Sequence, residues 1–210
     1  MLIDILTLFP EMFEGPFKYS IVKRAQEKGS VKINIINVRD FANNNYKTVD
    51  DRPYGGGAGM IIKVDIIDKA LQRIAPGKII LTEAGGTPFT QNKAMEWSKV
   101  DHLIFIAGHY EGVDARVKEH LANEAVSIGP YVLSGGELPI AVMIDSVVRL
   151  IPGVLGNQES LTEESHNEEG VAEYPQYTRP EEYKGWKVPE ILLSGDHKKI
   201  ENWRNETKKK

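Results

Sequence analysis

The sequence predicts an α/β fold, with a mostly parallel sheet and helices on both of its faces. Over the first 150 of 210 residues, short apolar segments alternate with amphipathic ones. Apolar strands that alternate with helices are typical of a parallel sheet that is buried on both sides. Hydrophobic residues make up 41% of the chain, which is enough for a substantial core.

The strands are predicted from apolar or alternating runs of residues. The first run, LIDILTLF, is almost wholly apolar, and the second alternates, with Val31, Ile33 and Ile35 on one side. The five predicted strands are residues 2–9, 31–38, 78–83, 102–108 and 125–129.

The helices are predicted from apolar residues at helical spacing and from signals at their ends. Gly29 is a C-cap for the first helix, Asp114 an N-cap for the fourth, and Pro139 suits the first turn of the fifth. The five predicted helices are residues 19–29, 64–75, 90–100, 114–122 and 138–151.

Two parts of the chain lack this alternation. Residues 40–61 form a long polar loop that contains DDRPYGGGAGM. After residue 151, nearly forty polar residues form either a linker or an ordered lid, since loops of this length usually have a function or are disordered. The last 21 residues then begin one helix, break at Ser194-Gly195-Asp196 and begin another.

Composition limits the classes of function. The net charge of −4 gives no overall sign of a nucleic-acid partner. The chain has no cysteine, which excludes disulfides and zinc–thiolate sites and agrees with a cytoplasmic location. It has neither a signal peptide nor a run of about 20 apolar residues, so we expect a soluble protein with no membrane partner. The five histidines show no metal-ligand spacing, so no metal site is predicted, although a divalent cation stays open.

The glycine-rich segment DDRPYGGGAGM resembles a phosphate loop but lacks its chemistry. No Lys-Ser/Thr pair follows the glycines, and the spacing of a dinucleotide fingerprint is absent. What remains is a flexible loop whose backbone can approach a flat ligand closely.

Three other glycine-rich turns, residues 83–86, 107–112 and 128–139, follow three consecutive predicted strands. Ligands bind at the carboxyl ends of such strands. Together these turns favour a pocket built from backbone over ordinary strand–helix connections.

Two charged features have more than one interpretation. Arg149 follows Asp145 by four residues, a spacing that favours a solvent-facing ion pair. Five glutamates lie in residues 157–170, and one carboxylate in a mobile lid could serve as a general base.

Several long motifs resemble bacterial tRNA (guanine-N1)-methyltransferases, from residue 2 to about residue 204. They include YKTVDDRPYGGGAGM, GHYEGVDARV, SIGPYVLSGGELP, IDSVVRLIPGVLG and VPEILLSGDHKKIENWR. The resemblance implies a SPOUT methyltransferase: a homodimer whose α/β domain ends in a deep trefoil knot. It also implies S-adenosylmethionine as methyl donor and guanosine 37 of tRNA as substrate, with the active site at the subunit interface.

The resemblance also implies roles for particular residues. Glu164 stands at the position of the catalytic carboxylate, and Arg149 at that of the arginine near guanine O6, which reverses the ion-pair interpretation. The residues implied for the donor are Leu81, Thr82, Glu83, Gly108, Tyr110, Glu111, Ile128, Gly129, Tyr131, Leu133, Gly135, Gly136 and Pro139. Those predicted for the substrate are Asp50, Arg52, Tyr54, Gly55, Gly56 and Gly59.

The predicted organisation has three parts. Residues 1–156 form the knotted donor-binding domain, residues 157–178 the interdomain linker or lid, and residues 179–210 the start of a helical tRNA-binding domain that is mostly missing. Glu164 replaces the family's aspartate. That replacement and the short C-terminal region motivate an alternative, a knotted dimer that binds donor and RNA with little or no turnover.

Overall fold

The computed structural model describes residues 1–155 and 173–208. Contacts between Cα atoms divide the chain into two compact units, Met1–Gly156 and Asn157–Lys210. No helix in the described part of the chain is long and apolar enough to cross a membrane.

The first unit is built on a five-stranded parallel sheet with strand order β2-β1-β6-β5-β7. A short antiparallel pair, β3 and β4, lies outside it. In chain order, the strands are β1 (Leu2–Thr7), β2 (Lys32–Asn37), β3 (Asp50–Asp51), β4 (Ile61–Ile62), β5 (Lys78–Pro88), β6 (His102–Ile106) and β7 (Glu124–Ser127).

Helices cover both faces of the sheet, as predicted. Alternate residues of β6 point to opposite faces, so Leu103 and Phe105 join one buried cluster while Ile104 and Ile106 join the other. Helices α1, α3 and α4 contribute to the first cluster, and α2 and a π-helix contribute to the second. These helices are α1 (Ser20–Glu27), α2 (Val64–Leu71), α3 (Gln91–Trp97), the π-helix (Val117–Leu121) and α4 (Glu137–Val148).

Most predicted elements are present with shorter ends, but β5 is longer than predicted. The predicted strand 78–83 continues to Pro88, with an irregularity in its pairing with β7 between Thr82 and Thr87. Residues 83–86 are therefore part of the strand and not a turn after it. Gly86 permits this because a Cβ there would lie 2.6 Å from the backbone nitrogen of Val126.

The predicted helix 114–122 is also different in detail. Its regular part is the π-helix Val117–Leu121, although Asp114 Oδ1 does accept the backbone N–H of Arg116 at 3.0 Å, as a capping residue would.

A buried polar group joins three strands near their amino ends. Asp4 Oδ2 lies 2.7 Å from Nε2 of His102, and Asp4 Oδ1 accepts a hydrogen bond from Asn34 at 2.7 Å. The other ring nitrogen of His102 lies 3.1 Å from the carbonyl oxygen of Pro76. These bonds satisfy polar groups that would otherwise be costly to bury.

The described part of the second unit, residues 173–208, contains a β-hairpin and two helices: β8 (Glu182–Tyr183), β9 (Trp186–Lys187), α5 (Glu190–Leu193) and α6 (His197–Thr207). The predicted break at residues 194–196 is confirmed, and Asp196 caps α6 by accepting the N–H of Lys199 at 3.2 Å. The guanidinium of Arg204 lies 4.8 Å from the ring centre of Tyr174.

Glu124 joins α3 to the sheet in the first unit. Its carboxylate accepts Nε1–H of the fully buried Trp97 at 3.0 Å and pairs with Lys78 at 3.0 Å and Lys93 at 2.5 Å. Burial alone would raise the pKa of Glu124, but the hydrogen bonds from Lys93 and Lys78 outweigh burial and hold the pKa below its usual value of 4.5. Because the folded pKa is lowered, this carboxylate stabilises the fold at neutral pH, and its contribution is lost as pH falls through the folded pKa.

We expect Glu124→Gln to lower the free energy of unfolding at pH 7 by about 1 to 3 kcal/mol, because charged hydrogen bonds are lost. The difference from the unchanged chain should shrink as the pH is lowered below 4.5, which denaturant titrations at several pH values would measure. Glu96→Gln is the control, since Glu96 pairs with the same lysine but is 61% exposed. Equal losses for both variants, or a difference that does not vary with pH, would contradict this account.

Candidate active site

A cavity of about 310 Å³ opens where β6 and β7 end, beside residues 82–85 of β5. This is the edge at which parallel sheets hold their ligands. Its lining comes from β5, from the turn 107–112 and from the loop 128–136, with Pro139 of α4. The lining residues are Thr82, Glu83, Ala84, Gly85, Gly108, His109, Tyr110, Glu111, Gly112, Val113, Val126, Ser127, Ile128, Tyr131, Val132, Leu133, Ser134, Gly135, Gly136 and Pro139.

Backbone contacts hold the loop 128–136 against the ends of β5 and β6. The N–H of Gly136 donates to the carbonyl oxygen of Gly108 at 2.7 Å. A Cβ on Gly136 would lie 2.9 Å from Cα of Ala107 and from the nitrogen of Gly108, so only glycine fits. Thr82 completes the junction, because its hydroxyl donates to Ile106 at 3.1 Å.

The residue after this glycine is a buried carboxylate. Glu137 is 1% exposed, and its Oε1 accepts the hydroxyl of Thr7 at 2.8 Å. Its Oε2 lies 3.7 Å from Nδ1 of His109, which lines the cavity. The ring of His109 lies between Phe9 and Tyr110, with ring-centre distances of 4.7 and 5.0 Å.

The turn 107–112 also contacts the glycine-rich segment. Tyr110 has a left-handed backbone, with φ of 60°, and its hydroxyl accepts a hydrogen bond from Arg39 at 3.3 Å. The N–H of Glu111 donates to Met60 at 3.1 Å. Gly59 lies directly against the Glu111 side chain, with no room for a Cβ.

The structure brings together most of the residues that the family resemblance implies for the donor. Two of the thirteen do not line the cavity: Leu81, which is 3% exposed and belongs to the core, and Gly129. Leu81 faces the opposite way from Thr82 because successive strand side chains alternate.

The residues predicted for the substrate lie elsewhere. Asp50 is in β3, where it pairs with Ile62, and Arg52 and Tyr54 line a second cavity of about 710 Å³ that shares no lining residue with the first. Tyr54 is fully exposed, and a Cβ on Gly55 or Gly56 would meet nothing within 4 Å. Of this group, only Gly59 reaches a cavity residue, Glu111.

Of the two predicted catalytic residues, one lies in the described part of the chain, and it is apart from the cavity. Arg149 is half-buried at the carboxyl end of α4, twelve residues after Glu137. At a rise of 1.5 Å per residue, it lies about 18 Å along the helix axis from the end that meets the cavity. Glu164 lies outside the described residues.

His109 and Glu137 lie in the glycine-rich turns 107–112 and 128–139 that predicted the pocket, but no role was predicted for either. Gly85 and Gly112 lie in these predicted turns too, whereas Val126 and Ser127, in the predicted strand 125–129, were not expected to line the cavity. Among residues 1–155 and 173–208, no group of three or more His, Cys, Asp or Glu side chains could hold a metal ion.

Comparison with known proteins identifies the family. The family model described as tRNA (Guanine-1)-methyltransferase TrmD matches residues 1–210. A tRNA (guanine-N(1)-)-methyltransferase of Pelotomaculum thermopropionicum is 52% identical over 210 residues, which cover 97% of this chain and 83% of the relative. The enzyme of the same description from Staphylococcus aureus strain MRSA252 is 51% identical over 211 residues, covering 99% of this chain and 86% of the relative. The chain therefore belongs to the tRNA (guanine-N1)-methyltransferase family.

Proposed function

We propose that this enzyme transfers a methyl group from S-adenosylmethionine to N1 of guanosine 37 in tRNA. The observation that carries the proposal is the cavity at the ends of β6 and β7, beside residues 82–85 of β5, in a chain about half identical to enzymes named for guanine-N1 methylation of tRNA. The sequence identity to these enzymes does not favour the alternative, a knotted dimer that binds donor and RNA with little or no turnover.

The cavity fits the donor in size and chemistry. A volume of about 310 Å³ lies within the usual range for small-molecule sites. The side chains of Ile128, Leu133 and Pro139 form an apolar part of its wall. The N–H and C=O groups of the turn 107–112 and the loop 128–136 can bind a purine edge. When bound, S-adenosylmethionine supplies the electrophilic methyl group.

Guanine presents a difficulty that protein groups must solve. Its N1 carries a proton and is a poor nucleophile at neutral pH, and negative charge develops toward O6 when that proton leaves. We assign proton removal at N1 to the carboxylate of Glu164 and stabilisation of the charge at O6 to the guanidinium of Arg149. The glycine-rich segment, with Asp50, Arg52 and Tyr54, belongs to the substrate side, where bare backbone lets a base approach closely.

The position of Arg149 supports a site shared between two subunits. A residue about 18 Å along α4 from the cavity cannot act there within the same chain. Leu138 and Val142, one helical turn apart on α4, are 55% and 49% exposed, and Val142 lines an open depression with Pro16, Phe17 and Ala141. We assign this apolar face to a homodimer, in which Arg149 of one subunit reaches the cavity of the other.

Further features follow from family membership. We include a deep trefoil knot of the SPOUT type in the proposal, on the family resemblance. The division into residues 1–156, 157–178 and 179–210 and the cytoplasmic location stay predictions, and the use of a divalent cation stays open.

Leu133→Ala should raise the dissociation constant for S-adenosylmethionine by roughly tenfold, because an apolar contact worth about 1.5 kcal/mol is removed. Calorimetric titration would measure the change. Leu193→Ala is the matched control, since Leu193 is 51% exposed against 40% for Leu133 and lies in the second unit. Equal donor affinity in both variants would show that the cavity does not hold the donor.

Glu164→Gln should lower the single-turnover rate of methyl transfer by on the order of 10² or more, because the amide cannot take the N1 proton. Donor affinity should change little. Rapid quench with tRNA carrying guanosine at position 37, and with the same tRNA changed at that base as control, would measure the rate. An unchanged rate would move the role to Glu163 or Glu169.

A heterodimer of two inactive variants tests the shared site. Arg149→Ala removes the guanidinium, and Leu133→Arg places a bulky cation where the sulfonium should bind. If the site combines the cavity of one subunit with Arg149 of the other, a heterodimer has one intact site and should show about half the wild-type rate. Two different affinity tags would isolate it after co-expression. An inactive heterodimer would place Arg149 and the cavity in the same chain's site.

A further inference from the structure

The buried pair formed by Glu137 and His109 has no role in the chemistry described above. Within the described part of the chain, Glu137 Oε2 and His109 Nδ1 are both shielded from solvent, and neither has a hydrogen-bond partner. They face each other at 3.7 Å. Buried polar atoms without partners are rare and costly, so two of them side by side require an explanation.

Each member of the pair is held by a different part of the active site. Glu137 follows the loop 128–136, and its other oxygen is fixed by Thr7 on β1. His109 belongs to the turn 107–112 and forms an isolated antiparallel bridge with Gly135. Gly135 lies over the pair, and a Cβ there would contact both Glu137 Oε2 and His109 Nδ1. The pair therefore lies directly beneath the junction of two cavity walls.

We propose that the Nδ1–H of His109 donates a hydrogen bond to Oε2 of Glu137, and that this pair positions the turn 107–112 and the loop 128–136 for binding of the methyl donor. A movement of about 0.8 Å would bring the two atoms to ordinary hydrogen-bond distance. Both are positioning residues, since the pair acts through the backbone of Gly135 and through Tyr110. The inference rests on the proposed donor site.

The experiment separates the hydrogen-bond donor of His109 from the shape of its ring. His109→Phe keeps a ring between Phe9 and Tyr110 but has no N–H, and Glu137→Gln keeps the shape but removes the charge. Each should raise the donor dissociation constant by roughly tenfold or more, the effect of losing a hydrogen bond to a carboxylate. His109→Arg keeps N–H donors at this position and should keep donor affinity within about threefold of the wild type.

Three readouts distinguish positioning from a general loss of stability. The double variant should bind donor about as weakly as the weaker single variant, since the two residues act as a unit. The rate at saturating donor and the KM for tRNA should each change by less than about threefold, because the effect is confined to donor binding. Glu124→Gln, which breaks another partly buried carboxylate cluster, should lower stability and leave donor affinity unchanged.

Additive effects in the double variant, unchanged donor affinity in the single variants, or failure of His109→Arg to restore affinity would overturn the inference. The result for Leu133→Ala separates this failure from that of the proposed function. If Leu133→Ala weakens donor binding and Glu137→Gln does not, only the inference is wrong. If neither variant weakens it, the donor site itself is misplaced.

Discussion

The candidate active site depends on one backbone contact, the hydrogen bond from Gly136 to Gly108. It fixes the loop 128–136 against the ends of β5 and β6, and α4 begins at the next residue. The contact is close enough to exclude any side chain at residue 136. Thr82 and Ile106 complete the junction through a side-chain hydrogen bond, so the cavity wall, the sheet and α4 meet at one point.

The sequence was sufficient to predict the layered fold and the place of the cavity. Apolar or alternating runs identified all five strands of the main sheet, because a strand that is buried on both faces is a nearly continuous apolar run. The extension of β5 to Pro88 was not predictable, since Gly85-Gly86 is a turn signal by local rules. The strand continues only because Gly86 packs against Val126, which is a tertiary contact.

The roles of individual side chains were harder to predict. Arg149 lies off the apolar stripe of its helix, and its spacing from Asp145 is that of an ordinary surface pair, so only the family resemblance pointed to catalysis. His109 and Glu137 are 28 residues apart and come together through the bridge between His109 and Gly135. No local sequence pattern predicts such a pair, because the contact depends on how the turn 107–112 packs against the loop 128–136.

The backbone character of the cavity has a consequence for inhibition. Five of its twenty lining residues are glycine, and of these Gly108, Gly135 and Gly136 have almost no room for a Cβ. An inhibitor that binds the N–H and C=O groups of this wall leaves few side chains at which a resistance mutation could arise. Any substitution at Gly136 that blocked such a compound would also force apart the junction that shapes the cavity. Escape would therefore fall on the peripheral side chains, such as Leu133 and Tyr131, and compounds that avoid them should keep their potency longer.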